Sequence, residues 1–126
     1  MDSSSRIKLL VVDDEPAILE MIQSHFSLRG FQVITAEDGP EGLVLLEKER
    51  PDVVLLDLKM KKLDGNHFLR QMREKNLPAK VIVITGYQDE SLRKEIGELG
   101  VDAFLEKPVS IVELQKKVYE LTGAPS

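Results

Sequence analysis

Cysteine is absent from this sequence of 126 residues, which excludes disulfides, thiolate catalysis and zinc sites built on cysteine. Basic residues are in deficit, because 17 lysines and arginines stand against 22 aspartates and glutamates, for a formal net charge of −5. A protein that binds nucleic acid or an anionic membrane needs the opposite balance to neutralise phosphates. Long apolar runs are also missing, so the sequence contains no candidate for a membrane-spanning helix. We therefore expect neither a nucleic acid nor a membrane as a direct partner.

What is present is typical of a globular protein, with 42% hydrophobic and 31% charged residues. The length fits a single domain, and we expect it to occupy residues 1–126, with flexible ends at 1–5 and 122–126. Residues 1–5 are polar and lead into no long apolar segment, which is unlike a signal peptide. The expected compartment is therefore the cytoplasm.

Two sequence patterns alternate along the chain. Short runs that are apolar or rich in β-branched residues have the length of strands, and they occur at 7–12, 31–36, 53–56, 81–85 and 101–105. Each is followed by a segment with helical spacing of apolar residues; on the first, these are Ile18, Met21, Ile22 and Phe26. Pro16 suits a first helical turn, and Ser110 precedes the last helical segment with capping-box spacing to Glu113.

Five successive strand–helix units predict an α/β fold, in which helices cover both faces of a parallel sheet. Right-handed crossovers and the usual doubly wound arrangement give the five-stranded order 2-1-3-4-5, as in flavodoxin-like folds. In such a sheet the ligand crevice lies at the carboxyl ends of the strands. The residues at those ends are Asp13, Asp14 and Glu15 after strand one, Asp57 after strand three, Thr85 at the end of strand four and Lys107 after strand five, so three or four carboxylates are expected in the crevice.

The acidic residues at this edge predict a metal site. Two carboxylates about 4 Å apart repel each other by roughly 4 kcal/mol at an effective dielectric constant of 20, so a cluster of three requires a cation or raised pKa values. Oxygen ligands that are few and open to water favour Mg²⁺ or Mn²⁺. The alternative is that Asp13 and Asp14 only cap the first helix, where carboxylates are favourable.

Asp57 is the candidate nucleophile. An ionised carboxylate held beside a divalent cation can attack phosphorus and form an acyl phosphate. Such a transfer needs compensation of the charge on the phosphoryl oxygens, which the Lys107 ammonium and the Thr85 hydroxyl can supply. Each residue also has an ordinary interpretation: Asp57 as a turn residue, Lys107 as a solvated lysine and Thr85 as a strand threonine.

Four motifs give the chain a resemblance to the receiver domain of two-component response regulators, the CheY-like superfamily. They are VVDDEP at 11–16, LLDLKMKKLDG at 55–65, VIVITG at 81–86 and DAFLEKP at 102–108. The resemblance implies that Asp57 accepts a phosphoryl group from a sensor histidine kinase or a histidine phosphotransfer protein. It also implies that Asp13, Asp14, Asp57 and the backbone carbonyl of Lys59 hold Mg²⁺.

Further implications of the resemblance concern the output of the domain. Thr85 and Phe104 would switch the face formed by helix four, strand five and helix five, although Phe104 also fits a plain core phenylalanine. Lys59 and Tyr87 would tune dephosphorylation, and the peptide bond between Lys107 and Pro108 would be cis. The protein would be a bacterial phosphorelay component with a downstream effector protein or domain, and a monomer or a phosphorylation-dependent dimer.

Three other functions compete with this interpretation. A flavodoxin-like flavin protein shares the sheet order, but it needs a phosphate-binding loop where this chain has Asp13, Asp14 and Glu15, which would repel a phosphate. A phosphatase with an aspartyl-phosphate intermediate needs a second carboxylate two residues after the nucleophile, and that position is Lys59. A receiver that only binds other proteins would lack part of the phosphoacceptor site, whereas this sequence has every residue of it. We therefore expect a signalling switch that is not a conventional enzyme.

Overall fold

Five β-strands and five α-helices alternate along the chain in the computed structural model, which describes residues 6–58, 65–86 and 90–124, without the side chains of 90–93. In chain order the elements are β1 (Lys8–Val12), α1 (Pro16–Ser27), β2 (Gln32–Ala36), α2 (Gly39–Glu49), β3 (Val53–Asp57), α3 (Gly65–Glu74), β4 (Lys80–Thr85), α4 (Glu90–Glu98), β5 (Ala103–Glu106) and α5 (Ile111–Thr122).

All strands of the sheet are parallel and lie in the order β2-β1-β3-β4-β5, which confirms the predicted α/β architecture. The pairing register aligns the carboxyl ends of neighbouring strands. Val12 pairs with Leu56, and the next residue, Asp57, pairs with Ile84. The residues that follow β1, β3 and β4 therefore converge on one edge of the sheet.

Two hydrophobic clusters cover the opposite faces of the sheet. Alternate residues of each strand point to opposite sides, so Leu9 belongs to one cluster and Leu10 to the other. Helices α2, α3 and α4 pack on one face through Leu46, Phe68, Leu69, Met72 and Ile96. Helices α1 and α5 pack on the other through Leu19, Ile22, Phe26, Leu114 and Val118. All five residues of β3 are buried, as expected for a central strand covered on both sides.

The ends of the helices follow local chemistry. Pro16 is the first residue of α1, and the Ser110 hydroxyl accepts a hydrogen bond from the Glu113 amide at 3.1 Å, which confirms both predicted helix starts. The prediction for Met21 was wrong, because its side chain is 39% exposed while Leu19 is buried. The buried stripe of α1 is rotated toward Leu19, since this side of the helix faces the sheet.

Helix α3 holds the end of α4 in place. The Arg73 Nε donates to the carbonyl of Leu99 at 2.7 Å, and Nη2 donates to the carbonyl of Gly100. Gly100 has a φ of +87°, a conformation that disfavours residues with a Cβ. Among the described residues, none of the helices has the length and apolarity needed to cross a bilayer.

Helix α3 also begins in close contact with the chain that leaves β3. The Gly65 amide donates to the Leu58 carbonyl at 3.0 Å. A Cβ atom at Gly65 would lie 2.8 Å from the Leu58 Cα and 2.6 Å from its Cδ2, so only glycine fits there without movement of Leu58. Since Leu58 follows Asp57 directly, the start of α3 packs against the residue next to the acidic edge.

Candidate functional site

Four carboxylates meet at the carboxyl edge of the sheet. Asp13, Asp14 and Glu15 lie between β1 and α1, and Asp57 is the last residue of β3. One oxygen from each of the four lies within 4.8 Å of the others. Asp13 is 3% exposed and Asp57 is 6% exposed, whereas Glu15 is open to solvent. The acidic residues predicted to converge are therefore close enough to share one cation.

The turn after β1 holds Asp13 by two backbone contacts. Its amide donates to the Ala36 carbonyl at 3.1 Å, and its Oδ1 accepts a hydrogen bond from the Glu15 amide at 2.9 Å. The N-cap of α1 is Glu15, and the Glu15 side chain makes no capping hydrogen bond. Neither Asp13 nor Asp14 is the N-cap, which counts against the alternative that these residues serve only to start the helix.

Lys107 brings one ammonium group to three of the four carboxylates. Its Nζ lies 2.9 Å from Glu15 Oε1, 3.1 Å from Asp57 Oδ2 and 3.3 Å from Asp13 Oδ2. The Lys107 amide donates to the Thr85 carbonyl at 2.9 Å, so the end of β4 and the loop after β5 are joined at this edge. The peptide bond between Lys107 and Pro108 is cis, as the resemblance implied.

Burial and charge shift two pKa values in the cluster. Burial raises the pKa of the Asp13 carboxyl, and the Glu15 amide and the Lys107 ammonium offset this only in part. Burial opposes the charge on Lys107, but the hydrogen bond to Glu15 and the Asp57 carboxylate outweigh it and raise the pKa of the ammonium. Lys107 is therefore charged at neutral pH, whereas burial disfavours the charged form of Asp13.

Thr85 and Phe104 lie on one side of the sheet on adjacent strands. Thr85 is 1% exposed and ends β4. Phe104 pairs with Val83, and both pack in the cluster beneath α2, α3 and α4. Because side chains alternate along a strand, Thr85 points to the same face as Val83 and Phe104. The two predicted switch residues therefore lie on the same face of adjacent strands.

The donor set fits a magnesium ion. All four side chains offer hard oxygen ligands, and Asp14 and Glu15 leave the cluster open to water, which Mg²⁺ and Mn²⁺ prefer to retain. The single ammonium described at the cluster is shared by three carboxylates, so a negative charge remains to attract a divalent cation. Burial disfavours the charged form of Asp13, as its raised pKa shows, and a bound cation would stabilise that charged form.

We predict that Asp13→Asn stabilises the metal-free protein. The asparagine oxygen can keep the hydrogen bond from the Glu15 amide while the buried charge is lost. The raised pKa makes the wild type lose stability as the pH rises from about 3.8 through the pKa in the folded state. At pH 7 in the presence of a chelator, Tm should rise by about 2–5 °C in calorimetry. An unchanged or lower Tm would contradict the cost assigned to this carboxylate.

Five of the predicted site residues thus lie at one edge of the sheet: Asp13, Asp14, Asp57, Thr85 and Lys107. The predicted ligand carbonyl of Lys59 and the predicted tuning residue Tyr87 lie outside the described residues. Glu15, which the sequence also places at this edge, was given no role of its own, and the structure shows its side chain in contact with Lys107. Its position as the third consecutive acidic residue after β1 was the only signal in the sequence.

Comparison with known proteins gives the same family as the motifs. The family model described as the response regulator receiver domain matches residues 9–119. The alkaline phosphatase synthesis transcriptional regulatory protein PhoP of Bacillus subtilis is 40% identical over 112 residues, which are 88% of this chain and 46% of PhoP. The chain spans about half the length of the curated relatives it matches.

Solved structures agree in sequence and in fold. The receiver domain of the Francisella response regulator 1452 is 34% identical, with a TM-score of 0.85, 92% of this chain covered and 96% of that chain. A CheY-like receiver domain protein from Methanospirillum hungatei is 30% identical, with a TM-score of 0.88 and coverage of 92% and 93%. The family match, the relatives and the acidic edge of the sheet agree: this chain belongs to the response regulator receiver domain family.

Proposed function

We propose that the chain is a phosphorylation-controlled switch in which Asp57 accepts a phosphoryl group with the help of Mg²⁺. The observation that carries the proposal is the meeting of Asp13, Asp14 and Asp57 with the Lys107 ammonium in one crevice. A nucleophilic carboxylate, a set of oxygen ligands and a fixed positive charge are the groups that this transfer requires.

The donor is a phosphohistidine on a sensor histidine kinase or a histidine phosphotransfer protein. A carboxylate oxygen of Asp57 attacks phosphorus, the phosphorus–nitrogen bond breaks, and its electron pair returns to the imidazole of the donor. The product is an acyl phosphate on Asp57, which water later hydrolyses. The protein is therefore a signalling switch that transfers a phosphoryl group to itself, and not a conventional enzyme.

Each residue of the crevice has a separate task in this transfer. Asp13, Asp14, Asp57 and the Lys59 carbonyl would hold the ion. When bound, Mg²⁺ neutralises charge on the phosphoryl oxygens and offsets the repulsion between the carboxylates and the incoming anion. Lys107 already lies 3.1 Å from Asp57 Oδ2, so a small movement lets its ammonium contact the transferred group. Lys59 and Tyr87 would set the lifetime of the acyl phosphate.

The output is a rearrangement on the face formed by α4, β5 and α5. Thr85, at the carboxyl end of β4, would turn toward the phosphoryl group, and Phe104 would follow on the same side of the sheet. A downstream effector protein or domain would recognise this face, with the protein as a monomer or a phosphorylation-dependent dimer. The proposed setting is a two-component system in the bacterial cytoplasm, without direct contact with nucleic acid.

Incubation with Mg²⁺ and acetyl phosphate tests the proposal. We expect intact-protein mass spectrometry to show the gain of one phosphoryl group, and this gain should disappear in Asp57→Asn and when the ion is chelated. Asp52→Asn is a matched control, because Asp52 is an exposed aspartate at the opposite end of β3, bonded to the Lys8 amide. It should be phosphorylated as readily as the wild type. Phosphorylation of Asp57→Asn at the wild-type rate would overturn the proposal.

A further inference from the structure

We propose that Glu15 is a positioning residue that keeps the Lys107 ammonium at the phosphoryl site when the metal and the phosphoryl group are bound. This inference rests on the proposed function of Asp57. Among the described residues, three carboxylates contact Lys107, and Glu15 makes the shortest of these contacts, at 2.9 Å. It is also the only one of the three that the proposed function does not assign to the ion.

Occupation of the site changes the surroundings of Lys107. Asp13 and Asp57 lie 3.3 Å and 3.1 Å from Nζ in this structure, and both would turn their charge toward the divalent ion. The ion also repels the ammonium. Glu15 then provides the attraction that holds the ammonium near the phosphoryl oxygens and prevents its departure into solvent.

The side chain of Glu15 has no competing role in starting α1. Glu15 is the N-cap residue, but its side chain makes no capping hydrogen bond and extends instead to Lys107, 92 residues further along the chain. The contact bridges the turn after β1 and the loop after β5 across the mouth of the crevice. The Glu15 backbone amide also donates to Asp13 Oδ1, and a substitution of the Glu15 side chain leaves this hydrogen bond in place.

The two possible roles of Glu15 predict opposite effects of Glu15→Gln on anion binding. A carboxylate near an anion site repels the anion, so Glu15→Gln would strengthen anion binding if Glu15 acted only through its charge. If Glu15 positions Lys107, the same substitution weakens anion binding. The probe is beryllofluoride, a phosphoryl mimic, titrated by calorimetry at saturating Mg²⁺. We expect about fivefold weaker binding, in the range for a partly exposed ion pair.

Glu15→Asp keeps the charge and removes one methylene of reach. We expect beryllofluoride to bind this variant less tightly than the wild type, although Asp is a better N-cap than Glu and the helix should lose no stability. Thermal unfolding of the metal-free variants checks that Glu15→Asp does not lower stability. Wild-type affinity in Glu15→Asp would mean that charge alone matters, and the proposal would fail.

A double-mutant cycle tests whether Glu15 acts through Lys107. In a Lys107→Met background, Glu15→Gln should no longer weaken beryllofluoride binding and should strengthen it slightly. Equal weakening in both backgrounds would overturn the proposal.

A titration with Mg²⁺ alone gives a further check. Glu15→Gln should lower the affinity for Mg²⁺ less than Asp14→Asn does, because a loss of equal size would make Glu15 a metal ligand.

The same titrations separate this inference from the function on which it rests. If the wild type does not bind beryllofluoride in the presence of Mg²⁺, the proposed function is wrong and the inference falls with it. If the wild type binds it, and Glu15→Gln and Glu15→Asp bind it equally well or better, the proposed function stands and only the positioning role of Glu15 is wrong.

Discussion

Replacing Lys107 with methionine is expected to lower the free energy of unfolding of the metal-free protein by about 2–4 kcal/mol. Methionine keeps much of the apolar stem, but Asp13 and Asp57 would remain buried without the ammonium that they share. Urea denaturation in the presence of a chelator measures this loss. Saturating Mg²⁺ should recover part of it, because a ligand that binds only the folded state stabilises that state by mass action.

The effect of pH on this variant follows from the raised pKa of Lys107. The stabilisation by the ammonium is complete below about pH 10.5, the ordinary pKa of lysine, and is lost as the pH rises through the higher value in the folded state. The stability difference between the wild type and Lys107→Met should therefore narrow in strongly alkaline solution.

Phosphoryl transfer from acetyl phosphate to Lys107→Met should be about a hundredfold slower than to the wild type, the usual effect of removing one group that stabilises charge in a transition state.

Lys117→Met is the matched control for the loss of a lysine. Lys117 pairs with Glu120 within α5, and its side chain is 36% exposed, so removal of this ion pair should cost less than about 0.5 kcal/mol. If Lys107→Met were as stable as the wild type without metal, the ammonium would not be compensating the buried carboxylates, and our account of the cluster would be wrong.

Gly65→Ala is expected to destabilise the protein by about 2–3 kcal/mol. Alanine favours helices over glycine by about 1 kcal/mol, but the new Cβ would lie 2.8 Å from a backbone atom of Leu58, which cannot rotate away. The cost of the steric clash is therefore expected to exceed the gain in helix propensity. Relief of the clash moves Leu58 and the adjacent Asp57, so beryllofluoride binding should weaken together with stability in urea denaturation.

Gly97→Ala gives the opposite expectation for the same chemical change. Gly97 lies inside α4, and within the described part of the chain a Cβ there would meet no atom within 4 Å other than its chain neighbours and the backbone of its own helix. The helix propensity of alanine should therefore stabilise the protein by up to about 1 kcal/mol. A gain in stability for both variants would show that α3 can yield at its first residue, despite its close contact with Leu58.

The fold was predictable because its determinants are local. Each strand is a short apolar run, each helix has an apolar stripe, and the sheet order follows from the handedness of the crossovers. The same reasoning predicts that Asp13, Asp57 and Lys107 lie at one edge, because the carboxyl ends of parallel strands lie at the same edge of a sheet. The roles of these residues in phosphoryl transfer stay predictions.

Other features depended on details that spacing does not contain. The contact between Glu15 and Lys107 is decided by the side-chain conformations of two loops far apart in sequence. In α1, Met21 and Leu19 both border the apolar stripe, and only the angle of the helix on the sheet determines which of them is buried. The tight fit between Gly65 and Leu58 likewise requires the path of the backbone.

The contacts of Arg73 with the carbonyls of Leu99 and Gly100 have a mechanical consequence for α4. A helix fastened at its carboxyl end behaves as a lever: it can tilt about that end more easily than it can slide as a whole. In the proposed switch, a rearrangement at Thr85 would therefore tilt α4 about this fixed end rather than shift the helix along its axis.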